Sequence, residues 1–456
     1  MKILLFLLVL ATTVMAGQWV ISTVPVTSYS WEYSMVIDSD GVPVIGYSYS
    51  GVGCVKYISG YGWLLMQDID SSGSADSYNN SRWLSAGKNG SLHAAYEHYN
   101  GSNDYDLKYA KWNGNAWSTE LVPSASHLPW LYNISIVVDT NDNPHIIYYD
   151  GTDSKYKYVK KTSTSWGSPA IIPNYYSYNC LAIDGNNTLH TAYHSWDSLY
   201  HLTKDGNNEA SAWTIEEIST PAESWGGASI AVGPAGMVAI AYRTSSTTED
   251  LKCAIKSGGS WQIHNVDVSD EKVGNYISVA IDNISNVHIA YNNYSFDDLK
   301  YAKFSGGTWN IQTVDSVGKV GYYCSIATNS QNNPCIAYED DTNNKIKYAY
   351  WMGVSPPTPD NSPANVKIRN NSFKPEKGEK MEAECELFQP NSLKINIYNL
   401  KNDLIKTVID EYKTEGKYNL FWEGKNSADE IVGSGLYIVI IEVGSTRIVK
   451  KAVVIK

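Results

Sequence analysis

Residues 276–314 read YISVAIDNISNVHIAYNNYSFDDLKYAKFSGGTWNIQTV, and this stretch decides the fold. It holds four short runs rich in Val, Ile, Tyr and Thr, separated by clusters of Asn, Asp, Gly and Ser. The pattern predicts four antiparallel strands joined by tight turns. The second run, VHIAY, is apolar on nearly every residue, which predicts a strand buried on both faces.

The same unit recurs along the chain. Its second run ends in a tyrosine seven times, at intervals of 45 to 52 residues, at Tyr47, Tyr96, Tyr148, Tyr193, Tyr242, Tyr291 and Tyr338. Such a period indicates one supersecondary unit copied in series. A tryptophan marks the fourth run in six copies, and the seventh copy lacks that run. QWVISTV, which holds Trp19, supplies it from the start of the chain. We therefore expect an all-β, seven-bladed β-propeller whose last blade is closed by the N-terminal strand, because closure removes exposed sheet edges.

The chain begins MKILLFLLVLATTVMAGQ, a basic residue, a short apolar run and a small-residue cleavage site. Residues 1–16 are predicted to be a secretory signal peptide, too short for a stable membrane span. The mature protein is then expected to be secreted or on the bacterial cell surface, monomeric and without a transmembrane span. A net charge of −12 argues against nucleic acid as a partner.

The texture of the sequence changes near the C-terminus. Residues 17–352 form the expected propeller, and residues 353–365, GVSPPTPDNSPAN, have the composition of an extended linker. Residues 366–456 are richer in Lys and Glu and contain alternating runs such as LKINIYNL and GLYIVIIEV. These runs predict a small C-terminal immunoglobulin-like β-sandwich.

This last segment resembles the FlgD-type immunoglobulin-like domain and is similar to the C-terminal sorting domains of the type IX secretion route. The matching landmarks are Tyr398 in IYNL, Trp422 and Gly424 in FWEGKN, the run GSGLY at Gly433–Tyr437, and the basic end from Lys450. Glu423 stands where the family usually has Asp. The resemblance implies a bacterial exported protein whose C-terminal domain serves export or anchoring, with the export machinery as its partner.

Two hairpins, IKSGGSW and KFSGGTW, resemble worn Asp-boxes of the sialidase-type repeat, and the Asp is absent in both. Sialidases hold a substrate carboxylate with three arginines, because a guanidinium pairs with it in two hydrogen bonds. The propeller region has only Arg82 and Arg243. A non-sialidase member of this repeat superfamily is therefore favoured.

Three further patterns are weighed as structural features. A histidine opens the second run in four copies, at His93, His145, His190 and His288, where equivalent positions in different blades are too far apart to bind one metal ion. The six cysteines fall at non-equivalent positions, which favours buried free thiols. The turn DTNDN, with Asp139, Asn141 and Asn143, is the best calcium candidate, but Asx turns explain it as well. No cofactor is expected.

Aromatic residues precede the first run of every copy. In a propeller these segments open one face around the central channel, together with the loops that follow the second run. The predicted ligand-binding residues are Trp31, Trp130, Tyr132, Tyr176, Tyr178, Trp196, Trp225, Tyr276 and Tyr322. Aromatic rings interspersed with carboxylates are typical of sugar-binding surfaces. The alternative is that these rings pack blade against blade.

Three functions remain open. The favoured one is a non-catalytic recognition module that binds a glycan or a surface protein. The second is a polysaccharide lyase or glycoside hydrolase, for which His98, His194 and Arg243 are the candidate catalytic residues. The third is a structural or adhesion protein, and the fold alone does not decide among them.

Overall fold

The computed structural model describes residues 18–26, 32–48, 51–58, 62–74, 82–101, 104–123, 125–162, 165–173, 180–194, 198–218, 228–244, 249–268, 271–352, 364–388, 390–399, 403–444 and 446–456. They are organised as two compact units, which divide near residue 354. Both units are built from β-strands, with three short 3-10 turns at Lys88–Gly90, Pro234–Gly236 and Pro375–Lys377. Within these ranges, no helix is long and apolar enough to cross a membrane.

The first unit contains seven antiparallel sheets within the described ranges. Strand β1 (Gln18–Thr23) opens the chain and belongs to sheet 7. Sheet 1 follows with β2 (Glu32–Ile37), β3 (Pro43–Ser48), β4 (Val52–Ile58) and β5 (Gly62–Leu65). Sheet 2 holds β6 (Gly73–Ser74), β7 (Leu84–Ala86), β8 (Leu92–Tyr99), β9 (Tyr105–Trp112) and β10 (Trp117–Leu121). Sheet 3 holds β11 (Leu131–Val138), β12 (Pro144–Asp150), β13 (Lys155–Lys160) and β14 (Ala170–Ile171).

Sheets 4 to 7 repeat this arrangement. Sheet 4 has β15 (Leu181–Ile183), β16 (Thr188–His194), β17 (Leu199–Asp205) and β18 (Thr214–Ile218). Sheet 5 has β19 (Ser229–Val232), β20 (Val238–Arg243), β21 (Leu251–Ser257) and β22 (Ser260–Asp267). Sheet 6 has β23 (Val273–Ile281), β24 (Val287–Asn293), β25 (Asp298–Ser305) and β26 (Thr308–Asp315). Sheet 7 has β27 (Val320–Thr328), β28 (Pro334–Asp340) and β29 (Lys345–Met352).

The fourth strand of sheet 7 comes from the other end of the unit. Strand β1 pairs antiparallel with β29, with Trp19 opposite Trp351. This is the pairing that the sequence predicts. The second strands β24 and β28 are buried at every residue, as their apolar composition requires. Four-stranded antiparallel sheets in series are consistent with a β-propeller.

A belt of hydrogen bonds links each sheet to the next through the first strands. A serine four residues before the turn accepts the backbone N–H of the following sheet, as when Ser325 Oγ accepts from Met35 N at 3.0 Å. Cys180 Sγ substitutes for the serine in sheet 4, and the Arg82 carbonyl serves in sheet 2. The seven donors are the backbone N–H groups of Met35, Leu84, Ile136, Leu181, Ile230, Val279 and Ile326. The cycle runs from sheet 1 through sheet 7 and back to sheet 1.

Arg82 also connects sheets that are not neighbours in this cycle. It lies at the start of the first strand region of sheet 2, and its guanidinium donates to the Val279 carbonyl of sheet 6 at 2.6 Å. A second contact reaches Ser229 Oγ of sheet 5 at 3.4 Å. Arg82 therefore reaches across the middle of the cycle, where the first strands converge.

The cysteines contribute to the packing. All six are buried and free, namely Cys54, Cys180, Cys253, Cys324, Cys335 and Cys385. Burial raises the pKa of the Cys335 thiol to about 11, so this thiol stays protonated at neutral pH. The favoured reading of the sequence, buried free thiols, agrees with these positions.

The second unit has two sheets around one apolar core. Its strands are β30 (Ala364–Arg369), β31 (Ser372–Phe373), β32 (Met381–Leu387), β33 (Asn391–Tyr398), β34 (Leu404–Lys413), β35 (Gly416–Trp422), β36 (Gly435–Val443) and β37 (Thr446–Val454). One sheet has the order β30-β32-β35, and the other has the order β31-β37-β36-β33-β34. Trp422 fills the core and meets Phe373 and Tyr437 edge-on, with ring centroids 5.6 and 5.1 Å away.

Candidate functional site

The first strands of sheets 3, 6 and 7 begin with the same irregularity. Their pairing with the second strand shifts register just before the recurring serine. The residue two positions before that serine has a left-handed backbone, with φ of 53° at Asn133, 49° at Tyr276 and 47° at Tyr323. Such non-glycine residues cost on the order of 1–3 kcal/mol each, and this strain concentrates at functional sites. Bulges also re-aim side chains next to such sites.

Sheets 6 and 7 reach this bulge through a glycine. Gly274 has φ of 84° and Gly321 has φ of 88°, a backbone region that favours glycine. A Cβ on Gly321 would lie 2.8 Å from the Leu299 Cα, so no larger residue fits there. The sequence motif V-G-x-Y therefore brings the start of β27 against the start of β25.

Three tyrosines meet at the junction of sheets 6 and 7, and we call them the tyrosine cluster: Tyr276, Tyr322 and Tyr323. The ring of Tyr276 lies 4.5 Å from that of Tyr323 and 5.5 Å from that of Tyr322. The Tyr322 hydroxyl donates to Asp297 Oδ1 at 2.6 Å. Burial and the neighbouring Asp297 raise the pKa of Tyr322, so its hydroxyl remains a donor. The rings are half-buried, which leaves part of each face open to a ligand.

A buried carboxylate lies beside this cluster. Glu339 pairs in register with Tyr322 and is only 8% exposed. Burial, followed by the nearby charges of Asp341 and Asp340, raises its pKa to about 7. Its neighbour Asp340 is held by Lys347 at 2.8 Å.

The loop after β24 adds exposed apolar side chains next to Asp297. Tyr294 is 53% exposed and Phe296 is 62% exposed. Both belong to the stretch YSFD, which lies between the second and third runs of this repeat. The burial of Glu339 could not be predicted either, because the sequence alone does not say which of the three carboxylates in EDD, residues 339–341, points into the protein. The aromatic residues in a turn were the available signal, because a simple turn needs none.

The sheet 3 candidates form a separate aromatic surface at the equivalent position. Trp130 is 63% exposed, the most open of the predicted residues that the structure describes. Tyr132 stacks on Tyr149, with ring centroids 4.3 Å apart and planes at 18°. The other predicted aromatic residues lie outside the described ranges, namely Trp31, Tyr176, Tyr178, Trp196 and Trp225.

Two of the candidate catalytic residues, His98 and Arg243, each pair with a nearby carboxylate. His98 is the second-last residue of β8, and its Nδ1 lies 3.4 Å from Asp70 Oδ2. Arg243 ends β20 and pairs with Glu249 at 2.6 Å. His194 ends β16, and its side chain falls outside the description. In the described part of the chain, no hydrogen bond or ion pair joins His98 to Arg243, so their catalytic role stays a prediction.

In the calcium candidate, the turn at residues 139–143, the Asp139 carboxylate accepts hydrogen bonds from the turn itself. Asp139 Oδ1 accepts from the backbone N–H groups of Asn141 and Asn143, at 2.8 and 2.9 Å. Its Oδ2 lies 3.4 Å from both His145 Nε2 and Lys160 Nζ. This is an Asx turn closed by an ion pair. Across the described ranges, no group of three His, Cys, Asp or Glu side chains is arranged to hold a metal ion.

Three of the four recurring histidines pack against a tyrosine of the third strand, whereas His190 Nδ1 lies 3.0 Å from His201 Nε2. His93, His145 and His288 hydrogen-bond to Tyr109, Tyr158 and Tyr301, at 2.7, 2.8 and 2.7 Å. A carboxylate of a turn takes the other ring nitrogen, as Asp282 does for His288 at 3.1 Å. Burial lowers the pKa of His93 to about 4, so its ring is neutral at neutral pH. The structural interpretation of these histidines agrees with this geometry.

A groove also lies between sheets 2 and 3. Its lining includes Lys111, Glu120, Asp142 and Lys161. Lys111 pairs with Asp142 at 2.5 Å, and Lys161 pairs with Glu120. The charged groups of this groove are therefore paired with one another.

No family model matches the chain, and no curated protein matches its sequence. Three solved structures give distant similarity. The PL25 ulvan lyase, a polysaccharide lyase, is 11% identical with a TM-score of 0.47, over 72% of this chain and 96% of that one. The lectin of Aleuria aurantia is 14% identical with a TM-score of 0.40, over 63% and 97%. PorZ of Porphyromonas gingivalis, a surface component of type IX secretion, is 12% identical with a TM-score of 0.37, over 91% and 64%. At these scores the similarities identify neither a family nor a function.

Proposed function

We propose that this chain is an exported recognition module that binds a glycan without transforming it. The binding surface is one face of a seven-bladed β-propeller, formed by the starts of the first strands and the loops after the second strands. The observation that carries the proposal is the tyrosine cluster beside Asp297 and Glu339. Flat rings stack on the C–H faces of sugars, while carboxylates and hydroxyls bind the sugar hydroxyls.

The sheet 3 aromatics extend the same surface in this proposal. Trp130 and the stacked pair Tyr132–Tyr149 occupy the same position in their sheet as the tyrosine cluster does in sheets 6 and 7. Two aromatic patches on one face suit an extended or repeated glycan. Binding at both would add avidity without new contacts at either patch.

A glycan array probed with the full chain tests this function. Binding should fall about fivefold to thirtyfold on Trp130→Ala or Tyr322→Ala, because the loss of an aromatic ring that stacks on a sugar costs on the order of 1–2 kcal/mol. Tyr412→Ala removes an equally exposed aromatic side chain from the second unit and serves as the matched control. Release of unsaturated or shortened sugars would replace recognition with a lyase or hydrolase activity. A chain that binds no glycan but captures a surface protein would also overturn the proposal.

The remaining parts are proposed to serve export. Residues 1–16 act as a signal peptide, residues 353–365 as a linker, and residues 366–456 as a FlgD-like immunoglobulin-like domain that directs sorting or anchoring. Deletion of residues 366–456 in the native host should abolish surface retention. Unchanged export and retention would leave that domain as a spacer.

A further inference from the structure

Sheet 4 differs from other sheets in the partner of its recurring histidine. In sheets 2, 3 and 6 this histidine hydrogen-bonds to a tyrosine hydroxyl of the third strand, as His288 does to Tyr301 at 2.7 Å. In sheet 4 the third strand carries His201 at the equivalent position, and its Nε2 lies 3.0 Å from His190 Nδ1. Both rings are buried, His201 at 3% exposure and His190 at 7%. We call these two residues the histidine pair.

Charged groups face the histidine pair from both sides of the junction between sheets 4 and 5. Within sheet 4, Asp184 Oδ2 lies 3.7 Å from the other ring nitrogen of His190, and Glu216 Oε2 lies 3.5 Å from that of His201. From sheet 5, the Lys256 ammonium bonds both oxygens of Glu216, at 2.6 and 2.9 Å. The pair therefore lies beside a salt bridge that joins the two sheets.

The two kinds of histidine contact respond differently to added protons. A tyrosine hydroxyl can donate or accept, so a histidine that faces it keeps its hydrogen bond in either charge state. Two imidazoles share a hydrogen bond only while one of the facing nitrogens carries no proton, whereas two imidazolium rings turn N–H groups toward each other. The contact between His190 and His201 is therefore lost when both rings are charged, and Lys256 then adds a third positive charge.

Burial opposes the charging of the histidine pair at neutral pH. Burial, followed by the neighbouring His190, lowers the pKa of His201 to about 4. Burial also lowers the pKa of His190, although Asp184 acts in the opposite direction. Both pKa values are therefore below the ordinary value of 6.5, so the pair contributes stability above pH 6.5 that is lost as the pH falls.

We propose that the histidine pair is an acid-sensitive contact that holds sheet 4 against sheet 5 at neutral pH and releases it in acid. The Trp261 ring of sheet 5 meets His201 edge-on, with ring centroids 5.2 Å apart, so a change at His201 reaches sheet 5 directly. The charged rings would repel each other and Lys256 across the junction. This device is separate from glycan recognition, because it uses none of the residues of the tyrosine cluster.

Denaturant unfolding of the full chain between pH 7 and about pH 4.5 tests the proposal, with His201→Tyr as the main variant. This variant gives sheet 4 the contact that sheets 2, 3 and 6 already contain. As the pH falls, the unfolding constant of the unaltered chain should rise up to about a hundredfold more than that of the variant, since one histidine kept neutral by the fold contributes about tenfold per pH unit. His127→Tyr, which changes a histidine with 73% side-chain exposure, should keep the original pH dependence. Equal pH dependence of the unaltered chain and His201→Tyr overturns the proposal.

Hydrogen exchange shows whether the release is confined to this junction. The Ile230 N–H donates to Cys180 Sγ between sheets 4 and 5, and the Met35 N–H donates to Ser325 Oγ between sheets 7 and 1. At about pH 4.5, protection of the Ile230 amide should be about tenfold lower in the unaltered chain than in His201→Tyr, while protection of Met35 is equal in both. A similar loss at both amides means general destabilisation and overturns the release of this junction.

NMR titration of the ring resonances supplies a readout that remains decisive even if His201→Tyr does not fold. The histidine pair should take up its protons in separate steps below pH 6.5, because the first charge disfavours the second. Lys256→Gln should shift both steps to higher pH, since it removes the facing cation. Full protonation of both rings above pH 6.5 overturns the proposal.

Discussion

Sheets 3 and 7 are copies of one repeat, but they differ in how the hydroxyl of a buried tyrosine is hydrogen-bonded. Each buries the tyrosine that lies two residues before the end of its second strand, Tyr148 or Tyr338. In sheet 7 the Tyr338 hydroxyl donates to Asp315 Oδ2 at 2.8 Å, and Lys347 bonds the same oxygen at 3.0 Å. In sheet 3 the Tyr148 hydroxyl has no hydrogen-bond partner in the described residues. We call the Asp–Tyr–Lys arrangement a clasp.

One residue at the end of the preceding sheet accounts for the difference. The clasp aspartate directly follows a buried Val or Ile at the end of the preceding sheet, as Asp315 follows Val314. Before sheet 3, Val122 is followed by Pro123, which has no acceptor side chain. Two other junctions carry the clasp, through Asp70 with Tyr96 and Lys108, and through Asp267 with Tyr291 and Lys300. The repeat therefore keeps its apolar packing everywhere and adds the polar clasp at particular junctions.

Asp315→Ala should produce the largest effect, because it breaks the sheet 7 clasp. The buried Tyr338 hydroxyl and Lys347 would lose a shared partner, and removal of one member of a buried pair costs about 4 kcal/mol. Denaturant unfolding of the first unit measures the change. A loss below about 1 kcal/mol would mean that the clasp contributes little beyond packing.

Glu339→Gln changes the residue that follows Tyr338 in sheet 7. The equivalent residue of sheet 3, after Tyr148, is Tyr149. The folded protein raises the pKa of Glu339 from 4.5 to about 7, so the stability it contributes is present below pH 4.5 and lost as pH rises through 7. The variant should match the original at pH 4 and exceed it by about 3 kcal/mol at pH 9. Unfolding free energies at the two pH values decide this, and a gain at pH 4 alone would contradict the sign.

Paired Tyr→Phe substitutions compare the two sheets directly. Tyr338→Phe removes a hydroxyl that donates to a carboxylate and should cost about 1–2 kcal/mol. Tyr148→Phe removes a hydroxyl with no partner, so the free energy of unfolding should change by less than about 0.5 kcal/mol or rise. Equal costs in thermal or chemical unfolding would remove the distinction between the junctions.

Pro123→Asp should have the smallest effect on stability and is the most specific test, because it places an aspartate before sheet 3 at the position that the clasp aspartate has before sheet 7. The substitution also frees the unfolded backbone that proline restricts, so its net effect should be small. The informative quantity is the coupling with Tyr148→Phe in a double-mutant cycle, expected at about 1 kcal/mol. A coupling of zero would show that the Tyr148 hydroxyl does not reach position 123.

Much of the fold could be predicted from the sequence because each repeat carries local signals. The tyrosine spacing, the turn residues and the unpaired last repeat indicate four-stranded sheets and the pairing of Trp19 with the final sheet, which the structure contains. The seven-bladed propeller and the immunoglobulin-like domain stay predictions. They depend on how sheets assemble, which no local signal encodes.

The site was predicted less completely, for a physical reason. Tyr276 and Tyr322 follow from composition, but their convergence depends on a bulge at which Tyr276 and Tyr323 adopt left-handed backbone. Sequence patterns do not reveal a strained φ on a tyrosine. Glu339 pairs with Tyr322 between the two register shifts of this strand pair, so a composition argument finds the rings and misses the carboxylate beside them.

The belt of hydrogen bonds has a consequence for how the first unit comes apart. Every sheet is held by a neighbour on each side, so freeing an internal sheet requires rupture of two junctions at once. Strand β1 is different, because no turn joins it to its partner β29: its six residues pair with β29, Val24 N donates to the Ile346 carbonyl at 2.9 Å, and Trp19 Nε1 donates to Gln312 Oε1 of sheet 6 at 3.0 Å. We therefore expect the separation of β1 from β29 to open sheet 7 without first breaking a hairpin, which makes the N-terminal strand a natural starting point for unfolding of the first unit.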